Sequence, residues 1–95
     1  MAWFGICECE YKTSNFDSAI ADCQKALTYD ALDPFAHNTL GLAFFKKAVK
    51  TGSVAELDPA LKHFQQMLEL NPDIAEASVA RQNIATIQNF LKQPR

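Results

Sequence analysis

Three cysteines and two histidines are the residues of this 95-residue chain best suited to chemistry. Cys7-x-Cys9 with Cys23 offers soft sulfur donors that, once ionised, hold zinc or exchange electrons. A structural zinc site wants four ligands from Cys, His or carboxylate at close spacing. That spacing is absent: His37 and His63 have no matching pair spacing, and Cys7 and Cys23 fall on apolar helix faces. The reading is therefore buried, inert thiols, with no metal and no cofactor. The odd cysteine count argues against a closed disulfide framework. It favours a reducing compartment, and the cytoplasm is the expectation. The histidines are equally isolated. A catalytic imidazole needs a positioned nucleophile or carboxylate. Asp33 and Glu8 are candidates to approach His37, but nothing in the sequence holds them there. No nucleophile elbow, phosphate loop or metalloprotease helix motif occurs. The chain is read as non-catalytic.

The composition bounds what the elements around these residues can be. Ninety-five residues make one small domain, and 48% hydrophobic content fits a packed core. Three glycines and four prolines are few for an all-β protein rich in turns. The net charge of -2, with no basic run, gives a nucleic-acid backbone no electrostatic reason to bind. No apolar run approaches the ~20 residues that cross a bilayer. Met1-Ala2-Trp3-Phe4 lacks the basic segment and long apolar core of a signal peptide. Asp17, Asp22, Lys25, Lys46, Lys47, Lys50 and Glu69 read as solvated helix faces.

Apolar spacing predicts five helices. The first runs from about Ala2 to Lys12 and ends at Thr13-Ser14-Asn15. Asn15 is placed to cap the second, from about Phe16 to Tyr29, whose apolar face is Phe16, Ala19, Ile20, Cys23, Ala26 and Leu27. Asp33-Pro34 opens the third: Asp accepts from free backbone N–H groups, and Pro in the first turn has none to leave unpaired. Gly52 suits the left-handed conformation that ends a helix, and Ser53-x-x-Glu56 reads as a capping box. The fourth helix carries Val54, Leu57, Leu61, Phe64 and Leu68, with Pro59 arguing against regularity near its start. Asn71-Pro72-Asp73 ends it and starts the fifth, which carries Ala77, Ala80, Ile84, Ile87 and Leu91. Gln93-Pro94-Arg95 is expected to fray.

The chain also repeats itself. Leu40-Gly41-x-x-Phe44, Ala60-x-x-x-Phe64 and Pro72 are preceded by a degenerate copy, Trp3-x-x-Ile6-Cys7 and Ala19-x-x-x-Cys23. Ile6 to Leu40 and Cys7 to Gly41 are each 34 residues. This pattern resembles the tetratricopeptide repeat family. The resemblance spans residues 2–91 and is specific in the second unit. In the first, Cys23 replaces the usual aromatic, Cys7 the usual Gly and Ala31 the usual Pro, while His37 takes the place that Trp3 holds one unit earlier. It implies an all-α fold: an α-α superhelix of two antiparallel helix-turn-helix repeats plus a terminal helix, five helices in all. Repeat 1 spans about 2–33, repeat 2 about 34–72 and a capping helix about 73–92. Offset by 41 residues, Ala36 maps to Ala77 and Ala43 to Ile84, so the last helix is similar to the first helix of a third unit without its partner. The short lead before Trp3 suggests that the first helix lacks part of its opening turn, as in a fragment or a truncated start.

Cys7 and Gly41 are small where the paired helices cross, and Ala19 and Ala60 are small opposite them, which permits close approach. From Cys7 to Ala19 is 12 residues, but from Gly41 to Ala60 is 19. The seven extra residues are expected either to lengthen the hairpin by about one turn per helix, with a short or kinked turn at 53–58, or to form a plain loop.

The resemblance implies work as a binding module rather than an enzyme. In this family the first helix of each unit lines a concave surface. The corresponding peptide-groove residues are Phe4, Glu8, Tyr11 and Lys12, then Asn38, Leu42, Phe45 and Lys46, then Val79, Asn83 and Thr86, with Phe90 one turn on. Tyr11, Leu42, Phe45, Val79 and Phe90 lie off the packing stripes. They mark a binding surface or pack on one another across neighbouring helices. The family's best-known ligand is the acidic EEVD-type tail of heat-shock chaperones, held by Lys, Asn and Arg. Phe4, Glu8, Thr39, Glu76 and Ala80 occupy those places, so such tails are not expected to bind. Two functions follow: an adaptor taking an apolar or amphipathic peptide or helix, or a self-associating scaffold fragment whose exposed end helices pair.

Overall fold

The computed structural model describes the backbone of residues 3–92 and the side chains of residues 5–92. All regular structure among them is helical: α1 (Trp3–Lys12), α2 (Phe16–Tyr29), α3 (Pro34–Thr51), a single 3₁₀ turn (Val54–Glu56), α4 (Leu57–Leu70) and α5 (Glu76–Lys92). α1 packs on α2 and α3 on α4, forming two hairpins. α2 packs on α3 to join them, and α5 packs on α4. No helix of the described residues is long and apolar enough to cross a membrane.

The helix ends show which local signals act. Asp33 caps α3 as expected: its Oδ1 accepts from the Phe35 amide at 2.9 Å and the Ala36 amide at 3.4 Å, with Pro34 at the first helical position. Gly52 ends α3 in the left-handed region at φ 70°. Two expected caps do not form. The Asn15 side chain turns back and donates to Thr13 Oγ1 at 3.0 Å, so it accepts nothing from α2. Ser53 makes no side-chain cap bond, and Glu56 faces Lys47 instead of reaching back to it. The fifth helix begins later than Asp73. Asn71 Oδ1 accepts from the Asp73 amide at 3.3 Å, a local turn that competes with helix. Arg81 Nη2 donates to the Pro72 carbonyl at 3.0 Å and secures that turn.

The insertion in the second hairpin has a definite shape. α2 and α4 are both 14 residues long, with Ala19 and Ala60 each at the fourth position. α4 therefore takes up none of the extra length. α3 runs ten residues past Gly41, where α1 runs five past Cys7. The 3₁₀ turn absorbs the rest. Pro59 falls in the first turn of α4, where its missing N–H costs no helical bond, so it does not disturb the helix.

Two cores meet at one ring. The first gathers Cys7, Cys23 and Leu40, and the second gathers Ala48, Leu57, Ala60, Phe64, Met67, Ala80 and Ile87; Phe44 packs against both. At Gly41 the α3 backbone lies directly against a side chain of α4. A Cβ placed there would lie 2.9 Å from the Phe64 ring, which is itself fully buried. At the equivalent crossing of the first hairpin the structure joins Cys7 to Cys23 in a disulfide, with Cα atoms 5.2 Å apart. This corrects the reading of these cysteines as separate thiols. Both fall on packed faces, and the close crossing that calls for small residues also brings the sulfurs together. Cys9 is the exposed free thiol.

Candidate functional site

The end of the long α3 forms one wall of a cavity of about 390 Å³. Its walls are Phe45, Ala48 and Val49 from the end of α3, Val54 and Leu57 from the 3₁₀ turn and the start of α4, and Thr86, Ile87 and Phe90 from α5. The lining is predominantly apolar. Val49 is 69% exposed and Phe90 45% exposed, so large hydrocarbon surfaces stand at its mouth. The hydroxyl-bearing residues of its lining are Ser53 and Thr86, and no titratable side chain is among the described residues that line it. Its chemistry is the removal of apolar surface from water, about 1.5–3 kcal/mol for each large side chain fully buried.

The residues expected in a groove divide between this cavity and other places. Phe45 and Thr86 line it, and so does Phe90. Leu42 is half-buried against the second core. Asn38 and Asn83 are half-buried, Lys46 is exposed, and Val79 is 51% exposed on α5. The α1 residues are engaged within the first hairpin. Glu8 pairs with Lys12 at 2.9 Å, which raises the Lys12 pKa. Tyr11 sits against Phe16 with ring centroids 6.0 Å apart, and burial pushes its hydroxyl pKa up. The side chain of Phe4 lies outside the described residues.

Three arrangements went unread in the sequence. Lys47 bridges Asp17 at 2.7 Å and Glu56 at 3.5 Å, tying the start of α2 to the 3₁₀ turn of the second hairpin. Its pKa rises, first through the hydrogen bond to Asp17. Glu10 on α1 has its carboxyl held above the usual range, first by a hydrogen bond with Asp22 on α2 and then by desolvation. The third is a histidine pair. His37 Nδ1 lies 3.0 Å from His63 Nδ1, while His37 Nε2 lies 2.9 Å from the Ala31 carbonyl. The rings are 5.3 Å apart between centroids, and Phe44 lies nearly parallel to His63 at 6.1 Å. Neither the Asp33 nor the Glu8 side chain is the partner of the His37 ring. Asp33 serves as the cap of α3, and Glu8 pairs with Lys12. Spacing along one helix shows each histidine's face, but not that α3 and α4 set the two rings against each other.

Among the described residues, no three or more His, Cys, Asp or Glu side chains come together as metal ligands. No protein-family model matches the chain, and no curated protein matches it.

Proposed function

We propose that this chain is a non-catalytic protein-binding module of tetratricopeptide type, which takes an apolar or amphipathic segment of a partner protein into the cavity between α3 and α5. The observation that carries the reading is the cavity itself: about 390 Å³, apolar, open, and flanked by the exposed side chains of Val49 and Phe90. An exposed apolar hollow of this kind is costly to leave in water and is the usual mark of a binding surface. The repeat reading rests on two aligned crossings, Cys7 with Cys23 and Gly41 with Phe64, and on two second helices of equal length. Lys46 and Lys50, exposed along the end of α3, would favour a segment carrying acidic residues beside its apolar anchors.

The test is a peptide-library screen against the chain and against Phe90→Ser and Val49→Ser. Both side chains are substantially exposed, so the variants should keep the helical circular dichroism and denaturant midpoint of the parent. We expect selected peptides to bear two or more large apolar residues at helical spacing and to lose at least tenfold in affinity for Phe90→Ser. Selection of peptides that bind both variants as well as the parent would remove the cavity from the function. Light scattering from micromolar to near-millimolar concentration separates the scaffold reading. A monomer leaves the cavity open to a partner, whereas a concentration-dependent dimer abolished by the same substitutions means that copies of the chain fill it.

A further inference from the structure

The histidine pair lies away from the cavity, and the proton positions it requires can be worked out. The Ala31 carbonyl can only accept, so His37 Nε2 carries a hydrogen. In the neutral ring His37 Nδ1 is then a lone pair, and His63 Nδ1 must donate to it across 3.0 Å. Two helices and a connection are fastened by this chain: α4 through His63, α3 through His37, and the α2–α3 segment through Ala31. His37 is only 7% exposed, so water does not readily replace either partner.

One added proton can be accommodated. His37 becomes a donor at both nitrogens, and His63 shifts its own hydrogen from Nδ1 to Nε2 so as to accept. A second proton cannot. Both Nδ1 atoms would carry hydrogens directed at each other, with two positive charges on rings in contact. We propose that His37 and His63 form an acid-released latch, which holds α4 against α3 within the second hairpin while the pair carries at most one added proton and lets go when both rings are charged.

Among the described residues, the charges that act on His63 are those of His37 and Lys62, both of which oppose a second proton. On α4, Lys62 is of like charge and opposes it. On α3, Phe44 contributes an aromatic ring, and the Asp33 carboxylate turns to the Phe35 and Ala36 amides and makes no bond to either imidazole. In the α2–α3 connection, Asp30 Oδ1 accepts from the Leu32 amide at 3.1 Å. Burial of His63, then His37, then Lys62 lower its pKa to about 4. The sign follows from linkage. The unfolded chain takes two protons near the ordinary imidazole value of about 6.5, and the folded pair resists the second, so stability is complete above that value and declines as pH falls toward about 4.

The experiment is denaturant unfolding of the whole chain from pH 7.5 to 4.5, beside His63→Asn, whose amide can donate to His37 or, turned over, accept from it. The folding constant of the parent should fall about tenfold more than that of His63→Asn between pH 7 and pH 5, after allowing for solvent screening of a half-buried ring. Nitrogen-15 imidazole spectra of the parent provide the readout that survives if the variant fails to fold. We expect His37 protonated at Nε2 and His63 at Nδ1 at neutral pH, with one of the two rings resisting protonation far below the other. Two rings titrating independently near 6.5, or equal pH slopes in the two proteins, would overturn the latch.

Discussion

The two hairpins solve the same crossing in different ways. In the second, Gly41 has no side chain and the Phe64 ring fills the space, so the contact depends on a large apolar residue packed against bare backbone. In the first, Cys7 and Cys23 stand at the equivalent places and meet through a covalent bond. One crossing is held by packing, the other by topology. Packing lowers the energy of the folded state, whereas a cross-link acts mainly by restricting the unfolded chain. Equivalent positions should therefore respond to different insults.

Packing at the second crossing gives the largest effect. Phe64→Ala should cost about 3–5 kcal/mol, since it empties a fully buried ring site. Gly41→Ala gives a sharper test. In the parent it should lower the denaturant midpoint: pushing a Cβ to 2.9 Å from the ring costs about 1–3 kcal/mol, which outweighs a helix-propensity gain of about 1 kcal/mol. In the Phe64→Ala background the obstacle is gone, and the same substitution should gain about 1 kcal/mol. A change that destabilises equally in both backgrounds would show that Gly41 is not there to admit the ring.

The covalent crossing comes next. Cys7 and Cys23 are 16 residues apart, a loop whose closure is worth about 3 kcal/mol. Cys23→Ala, or unfolding measured in reductant, should lower stability by about that amount and leave the second hairpin's response to Gly41→Ala unchanged. A thiol count on the chain unfolded without reductant should find Cys9 alone. Three reactive thiols would break the comparison, because both crossings would then rest on packing.

How much of this was legible in the sequence depended on the range of the interaction. Helix positions, the Asp33-Pro34 start and the Gly52 stop are local consequences of backbone chemistry, so residue types alone place them. Ala19, Ala60 and Gly41 also declare themselves, because close packing excludes larger side chains. Caps depend on competition: Asn15 and Ser53 are good capping types, but Asn15 bonds Thr13, and Glu56, the other half of the Ser53 box, pairs with Lys47. The histidine pair and the Lys47 bridge were not legible, since periodicity gives the face of a helix and not its partner across a gap. The cavity falls between these cases. Phe45, Thr86 and Phe90 were placed together, but the hollow they line depends on all the helical lengthening going to α3.

The smallest effect tests the comparison at the hairpin tips. Both first helices are followed by a residue in the left-handed region: Gly52 at φ 70° after α3, and Ser14 at φ 66° after α1. Glycine takes that conformation freely, while an L-residue with a Cβ pays about 1 kcal/mol or more. The added Cβ of Gly52→Ala would meet nothing within 4 Å, so any loss it causes, about 1 kcal/mol, comes from backbone conformation alone. Ser14→Gly is the mirror experiment. The Ser14 amide bonds the Tyr11 carbonyl at 3.0 Å and Asn15 bonds the Glu10 carbonyl at 2.8 Å, so the turn is held by backbone groups that glycine keeps. Relief of strain, less the extra freedom glycine gives the unfolded chain, should leave a gain of roughly 0.5 kcal/mol. A thermal midpoint that rises by about 2–4 °C would show that Ser14 is strained in the left-handed region. With the disulfide reduced the same gain should persist, since the strain belongs to residue 14 and not to the bond; a gain that disappears on reduction would mean that the cross-link itself forces Ser14 into the left-handed region.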